Sequence, residues 1–184
     1  MFNKWLEENK SQLGQLIDYI NRLAPNDYLY VGNRKPEVAG VKLGIDTKPQ
    51  GGCVWYATGT EWPYFMMHNS PEWPCRYIYK IIPDLSRMYI IDSKEKLDQF
   101  DVNFGARNIK YSRDSRLIDW NKASQFFSGL DMTKWYQKTR SFPQEADHWR
   151  DHWDIPSGAI WDQTAVSGIQ LIGSWTGTEY EESR

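Results

Sequence analysis

Apolar residues at Phe2, Trp5, Leu6, Leu13, Leu16, Ile17, Ile20 and Leu23 recur every three or four positions, with charged and amide residues between them. One face of an α-helix has that period, so the spacing predicts an amphipathic helix over 3–23, ended by Pro25 and Asn26. The pattern then changes to short β-branched and aromatic runs. Tyr28 to Val31, closed by Gly32-Asn33, reads as a strand, as do Val41 to Ile45 and, after Gly51-Gly52, Cys53 to Ala57. From Thr58 the period is helical again, with Thr58 or Thr60 as the cap and Glu61 in the first turn, until Asn69-Ser70-Pro71 stops it.

Alternation over 76–82 predicts a half-buried strand, and Met88 to Ile91 another. Ser93 caps a helix holding Leu97 and Phe100, a basic loop follows, and Asp119-Trp120 opens a helix reaching Phe127. Gly129 to Met132, Ser157 to Trp161 and Gly168 to Ile172 complete the strands, and the polar stretch 176–184 reads as a frayed tail. Several successive strands have no helix between them, which predicts an α+β fold in one domain, 1–184, rather than a doubly wound parallel sheet. Trp153-Asp154 and Trp161-Asp162 are only eight residues apart, too close to be the repeated dipeptide of propeller blades.

Composition narrows the class. Of 184 residues, 40% are hydrophobic and 25% charged, the proportions of a globular protein, and no apolar run has membrane-spanning length. The unusual count is aromatic, 15% of the chain with 10 Trp. A net charge of −2 supplies no general attraction for nucleic acid, so such binding would rest on local patches. Two mix cations with aromatic rings: Arg107 to Arg116, including Lys110 and Arg113, and Lys134 to Arg140, including Trp135 and Tyr136. Cys53 and Cys75 are too few for a disulfide framework and read as buried structural thiols. The start, MFNKWLEENK, has no apolar core of a signal peptide, so a cytoplasmic protein is expected.

His148 and His152 are spaced to share a metal across one helical turn, with Asp151 or Asp154 as an oxygen ligand. The glutamate of a zinc-protease helix is missing, and a solvated face of alternating acids and bases explains the same letters, so no metal is expected. No G-x-S-x-G elbow or Walker-type loop occurs.

Three further segments belong together. Tyr30-Val31-Gly32-Asn33 ends a strand, Gly52-Cys53-Val54-Trp55-Tyr56-Ala57 enters a helix, and Phe127-Ser128-Gly129-Leu130-Asp131-Met132 is a later strand carrying an acid. In this order they resemble the three-part signature of the ADP-ribosyltransferase superfamily, in the branch of poly-ADP-ribose polymerases and diphtheria-type toxins. Val31 stands where the family has a histidine, and Asp131 where it has a glutamate.

The resemblance implies a pair of small mixed or antiparallel sheets flanked by helices, with NAD as substrate between them and no metal. It implies transfer of ADP-ribose to a macromolecular acceptor, protein or nucleic acid, with release of nicotinamide. Tyr56 or Trp55 would stack on nicotinamide, and Asp131 would stabilise the ribosyl cation. Tyr30, Gly32, Asn33 and Arg34 would hold the dinucleotide, and Lys110, Arg113, Trp135 and Tyr136 the acceptor. By analogy such a chain suits a bacterial or phage toxin, acting in its own or a host cytoplasm and countered by a neutralising partner. The alternatives are a non-catalytic nucleic-acid or protein binding module with a vestigial NAD cleft, and a metal-dependent hydrolase using His148 and His152.

Overall fold

The structure, a computed structural model, describes residues 2–73, 75–107, 116–134 and 148–183. The described residues form a mixed α/β arrangement with several sheets and four helices. The single domain expected from the sequence is built as two compact units. One comprises Met1–Pro36, Tyr56–Ile82 and Ser167–Arg184, the other Glu37–Trp55 and Pro83–Val166.

In the first unit, α1 (Phe2–Leu23) buries Leu13, Leu16, Ile17 and Ile20 of the stripe read from the sequence, and Tyr19 beside them. The stripe frays at its ends, where Trp5 and Leu23 are 42% and 43% exposed. The core against which it packs includes Leu29 of β1 (Tyr28–Gly32), Met66 of α2 (Glu61–Asn69) and Ile78 of β6 (Tyr77–Pro83). Strand β1 lies between β6 and β5 (Val54–Thr58), antiparallel to both, with Tyr30 opposite Tyr79 and Leu29 opposite Ala57.

At the far edge of this unit β12 (Val166–Trp175) pairs with β13 (Tyr180–Glu182). The expected frayed tail is therefore a strand over these residues. Its anchor is Tyr180, which sits 7% exposed with its ring against Tyr19 and Trp175 and its hydroxyl donating to the Cys75 carbonyl. One buried aromatic residue in a run of acids and threonines anchors the strand, while Glu181 and Glu182 stay exposed.

In the second unit β10 (Gly129–Asp131) runs parallel to β7 (Met88–Ile90) and antiparallel to β11 (Ser157–Ile160). A three-stranded sheet has the order β3 (Ile45–Asp46), β9 (Arg116–Asp119), β8 (Gly105–Arg107), and β2 (Ala39–Lys42) pairs with β4 (Gln50–Gly52). Helix α3 (Lys94–Phe104) is capped by Ser93 as expected, and α4 (Trp120–Ala123) by Asp119, whose carboxylate accepts the Lys122 N–H. The helix expected to reach Phe127 stops at Ala123 and continues as turns.

The basic stretch expected to be a loop supplies β8 and β9, because Leu117 and Ile118 are core residues among the cations. The strand expected over Val41 to Ile45 is broken into β2 and β3 at Leu43-Gly44. Phe100, Phe104, Trp120, Trp149, Trp153 and Trp161 dominate this unit's core, which absorbs much of the aromatic surplus. No helix among the described residues is long and apolar enough to cross a membrane.

Candidate functional site

Alternation along β5 decides between its two aromatic residues. Tyr56 faces inward and is wholly buried, its ring centre 5.0 Å from that of Tyr28 on the neighbouring strand. Complete burial leaves the Tyr56 ring no face for a flat ligand. Trp55 points the other way, is half-buried, and rests on Trp153 with ring centres 4.9 Å apart.

On β1, Gly32 leaves room that a side chain would fill, since a Cβ there would fall 2.6 Å from the Tyr30 hydroxyl. The missing side chain lets the phenol of Tyr30 fold over its own strand, where it meets Tyr79 across the register at 6.4 Å. Burial, with Tyr77 and Tyr30 nearby, pushes the Tyr79 phenol above its ordinary pKa. Asn33 and Arg34 follow as exposed residues at the end of the strand. Val31, at the position of the family's histidine, is half-buried against the first unit's core and presents no polar group from its side chain.

Asp131 belongs to the second unit. It ends β10, its backbone pairing with Ile90 on one side and Gly158 on the other, and is 2% exposed. One carboxylate oxygen accepts both the backbone N–H of Thr133 at 2.9 Å and its hydroxyl at 2.7 Å. That arrangement is an Asx turn, in which a short acid closes the chain reversal leaving the strand.

His148 and His152 do not form a pair. The segment Trp149–His152 is a 3-10 turn with His148 as its cap, so residues three apart, not four, share a face. His148 is buried and His152 exposed. The Nδ1 of His148 accepts the Arg150 N–H at 3.3 Å, which places the ring proton on Nε2, donating to Asp101 at 2.9 Å. Both ring nitrogens are engaged, and a metal would have to break one of these bonds. Among the described residues no cluster of three or more His, Cys, Asp or Glu is spaced to hold one.

The same turn carries two buried N–H groups, Arg150 Nε and Trp153 Nε1, that lack a hydrogen-bond acceptor among the described residues. Each such group costs about 1–3 kcal/mol relative to a satisfied one. Arg150 lies within the motif read from the sequence, but nothing local marks Asp101, which is 47 residues from His148. The pairing of acid and imidazole is visible only once α3 is folded against the turn.

Burial pushes the thiol of Cys53 up to about 11 and that of Cys75 up to about 12, so both are protonated and poor nucleophiles near neutral pH. Lys110, Arg113, Trp135 and Tyr136 lie outside the described residues. Of the others, Tyr30, Gly32, Asn33, Arg34 and Tyr56 fall in the first unit and Trp55 and Asp131 in the second. No protein-family model, curated protein or solved structure matches this chain.

Proposed function

We propose that the chain is an ADP-ribosyltransferase-like protein that binds NAD and moves ADP-ribose to a macromolecular acceptor. One observation carries this reading. The strand ending in Tyr30-Val31-Gly32 and the strand holding Trp55-Tyr56-Ala57, separate in sequence, are hydrogen-bonded antiparallel neighbours through Leu29 and Ala57. Two of the three elements that carry the resemblance therefore lie side by side.

In this reading Trp55, the accessible member of the aromatic pair, supplies the flat surface for nicotinamide. The bond between ribose C1′ and the nicotinamide nitrogen breaks, its electron pair leaving with nicotinamide. A nucleophile of the acceptor then bonds to C1′ and releases its proton to solvent. Positive charge on the sugar at the transition state is stabilised by the negative charge of Asp131, held in place by Thr133.

The test is incubation of the protein with labelled NAD and a cell lysate, reading label transfer and free nicotinamide. Wild type is expected to release nicotinamide, and Asp131→Asn, checked for folding by circular dichroism, to be slower by about a hundredfold or more. Failure of wild type to release nicotinamide, or equal rates in the two proteins, overturns the reading.

A second reading, a binding module without turnover, is favoured by the buried Tyr56 ring and by the turn that closes on Asp131. It predicts saturable NAD or nucleic-acid binding, measured calorimetrically, with no nicotinamide released.

A further inference from the structure

Strand β12 is longer than the strand that covers its outer side. It runs for 10 residues between β6 and β13, and β13 has 3. Their register sets Gly173 opposite Glu182, Ser174 opposite Glu181 and Trp175 opposite Tyr180. One more bond, from the Ser183 N–H to the Ile172 carbonyl at 3.3 Å, extends the pairing, and the Tyr19 hydroxyl donates to the same carbonyl at 2.8 Å. From Ser167 to Leu171, among the described residues, no strand pairs with β12 on the side of β13. Ser167 and Gln170 are exposed there, and Gly168, Ile169 and Leu171 half-buried.

An antiparallel strand sends its backbone N–H and C=O groups to both sides, so this stretch holds a row of polar groups that a further strand can pair. Proteins commonly protect such an edge with charged side chains or proline. Ser167-Gly168-Ile169-Gln170-Leu171 contains neither, whereas β13 carries the exposed acids Glu181 and Glu182. Beside the open stretch Ile82 of β6 is 45% exposed, and a Cβ on Gly168 would lie 3.1 Å from its Cδ1. Ile82, Ile169 and Leu171 thus offer apolar surface to an added strand.

The same composition selects the occupant. Two identical strands pair antiparallel about a two-fold axis, so a charge near the axis would face its own sign. This stretch brings no charge to that position. A pairing centred on Ile169 sets it opposite Ile169 of a second copy, with Gly168 opposite Gln170 and Ser167 opposite Leu171. It ends before the residues that β13 covers.

We propose that Ser167–Leu171 of β12 is a self-association edge, through which two copies of the chain pair antiparallel into a symmetric dimer. So short a pairing makes a weak, concentration-dependent contact and not an obligate one. The proposal is independent of the transferase reading and uses none of the residues assigned to NAD.

The test is sedimentation equilibrium of the full chain, with wild type expected to pass from monomer toward dimer between about 10 μM and about 1 mM. Ile169→Lys places like charges opposite each other at the axis and is expected to weaken the dimer at least about tenfold. Gln170→Lys alters an exposed side chain, keeps the test open if Ile169→Lys does not fold, and is expected to weaken the dimer about threefold or more. A chain that stays monomeric throughout leaves the edge to some other strand and overturns self-association. A dimer whose constant is unchanged in either folded variant overturns the site.

Discussion

The carboxylate of Asp101, on α3, accepts the Nε2–H of His148 at 2.9 Å from 47 residues away. Its other oxygen accepts the indole N–H of Trp149, so one acid fastens two successive residues of the 3-10 turn to the helix. Asp101→Ala removes both acceptors and leaves two buried N–H groups unpaired, with an expected loss of about 2–4 kcal/mol in urea unfolding. Asp101→Asn keeps one carbonyl oxygen and is expected to cost less. Equal stability of wild type and Asp101→Ala would show that the turn holds without this bond.

The two thiols give a pH dependence with a definite sign. In the folded protein Cys53 and Cys75 keep their protons up to about 11 and about 12, while an unfolded thiol loses its proton near 9. Their contribution to stability is complete below the unfolded value and is lost as pH rises toward the folded ones. Urea midpoints are expected to be level from about pH 7 to 8.5 and to fall above about pH 9, with a shallower fall in Cys75→Ala. At about pH 8 the Cys75 thiol, within 3.3 Å of the Trp73 carbonyl, is expected to resist a disulfide reagent until denaturant is added.

Two glycines respond to alanine in opposite directions. Gly14 is inside α1, and a Cβ there meets nothing within 4 Å, so Gly14→Ala removes helix-opposing freedom and is expected to stabilise by about 0.5–1 kcal/mol. Gly52 faces Ala39 across the β2–β4 pair, and its Cβ would lie 1.7 Å from the Ala39 carbonyl oxygen. Backbone cannot yield as a flexible side chain can, and Gly52→Ala is expected to lose about 1–3 kcal/mol. Calorimetric melting of both variants checks the pair of signs.

The elements legible in the sequence are those whose period or composition is local. The apolar period alone bounds α1 to within a residue, and short β-branched or aromatic runs mark β1, β5, β6, β7, β10 and β11. The strands β8 and β9 lie among cations whose residue types signal a solvated loop, while the burial of Leu117 and Ile118 is a tertiary fact. Spacing puts His148 and His152 on one α-helical face, and the 3-10 turn separates them because its period is three. Identity alone does not divide Trp55 from Tyr56, since alternation along a strand fixes opposite faces and only the fold decides which is buried. Asp101 meets His148 and Trp149 through packing across the chain, which no motif records.

Tyr180 ties the last strand to the first unit through a buried hydroxyl. It donates to the Cys75 carbonyl and accepts from Gln12 of α1 at 3.1 Å, and burial, with Cys75 nearby, pushes its pKa up. Tyr180→Phe keeps the ring against Trp175 and Tyr19 but removes one partner each from the Cys75 carbonyl and the Gln12 amide, which keep a 3.4 Å bond to each other. The expected loss is about 1–2 kcal/mol in urea unfolding, most of it shared with Gln12→Ala in a double-mutant cycle. Tyr180→Ala also removes the ring and is expected to cost about 3–5 kcal/mol. If strand β13 were held by backbone pairing alone, both substitutions would leave the unfolding midpoint unchanged. The acids on either side of Tyr180 make a loss the stronger expectation, since Glu179, Glu181 and Glu182 bring charge, not apolar surface, to the edge of the sheet.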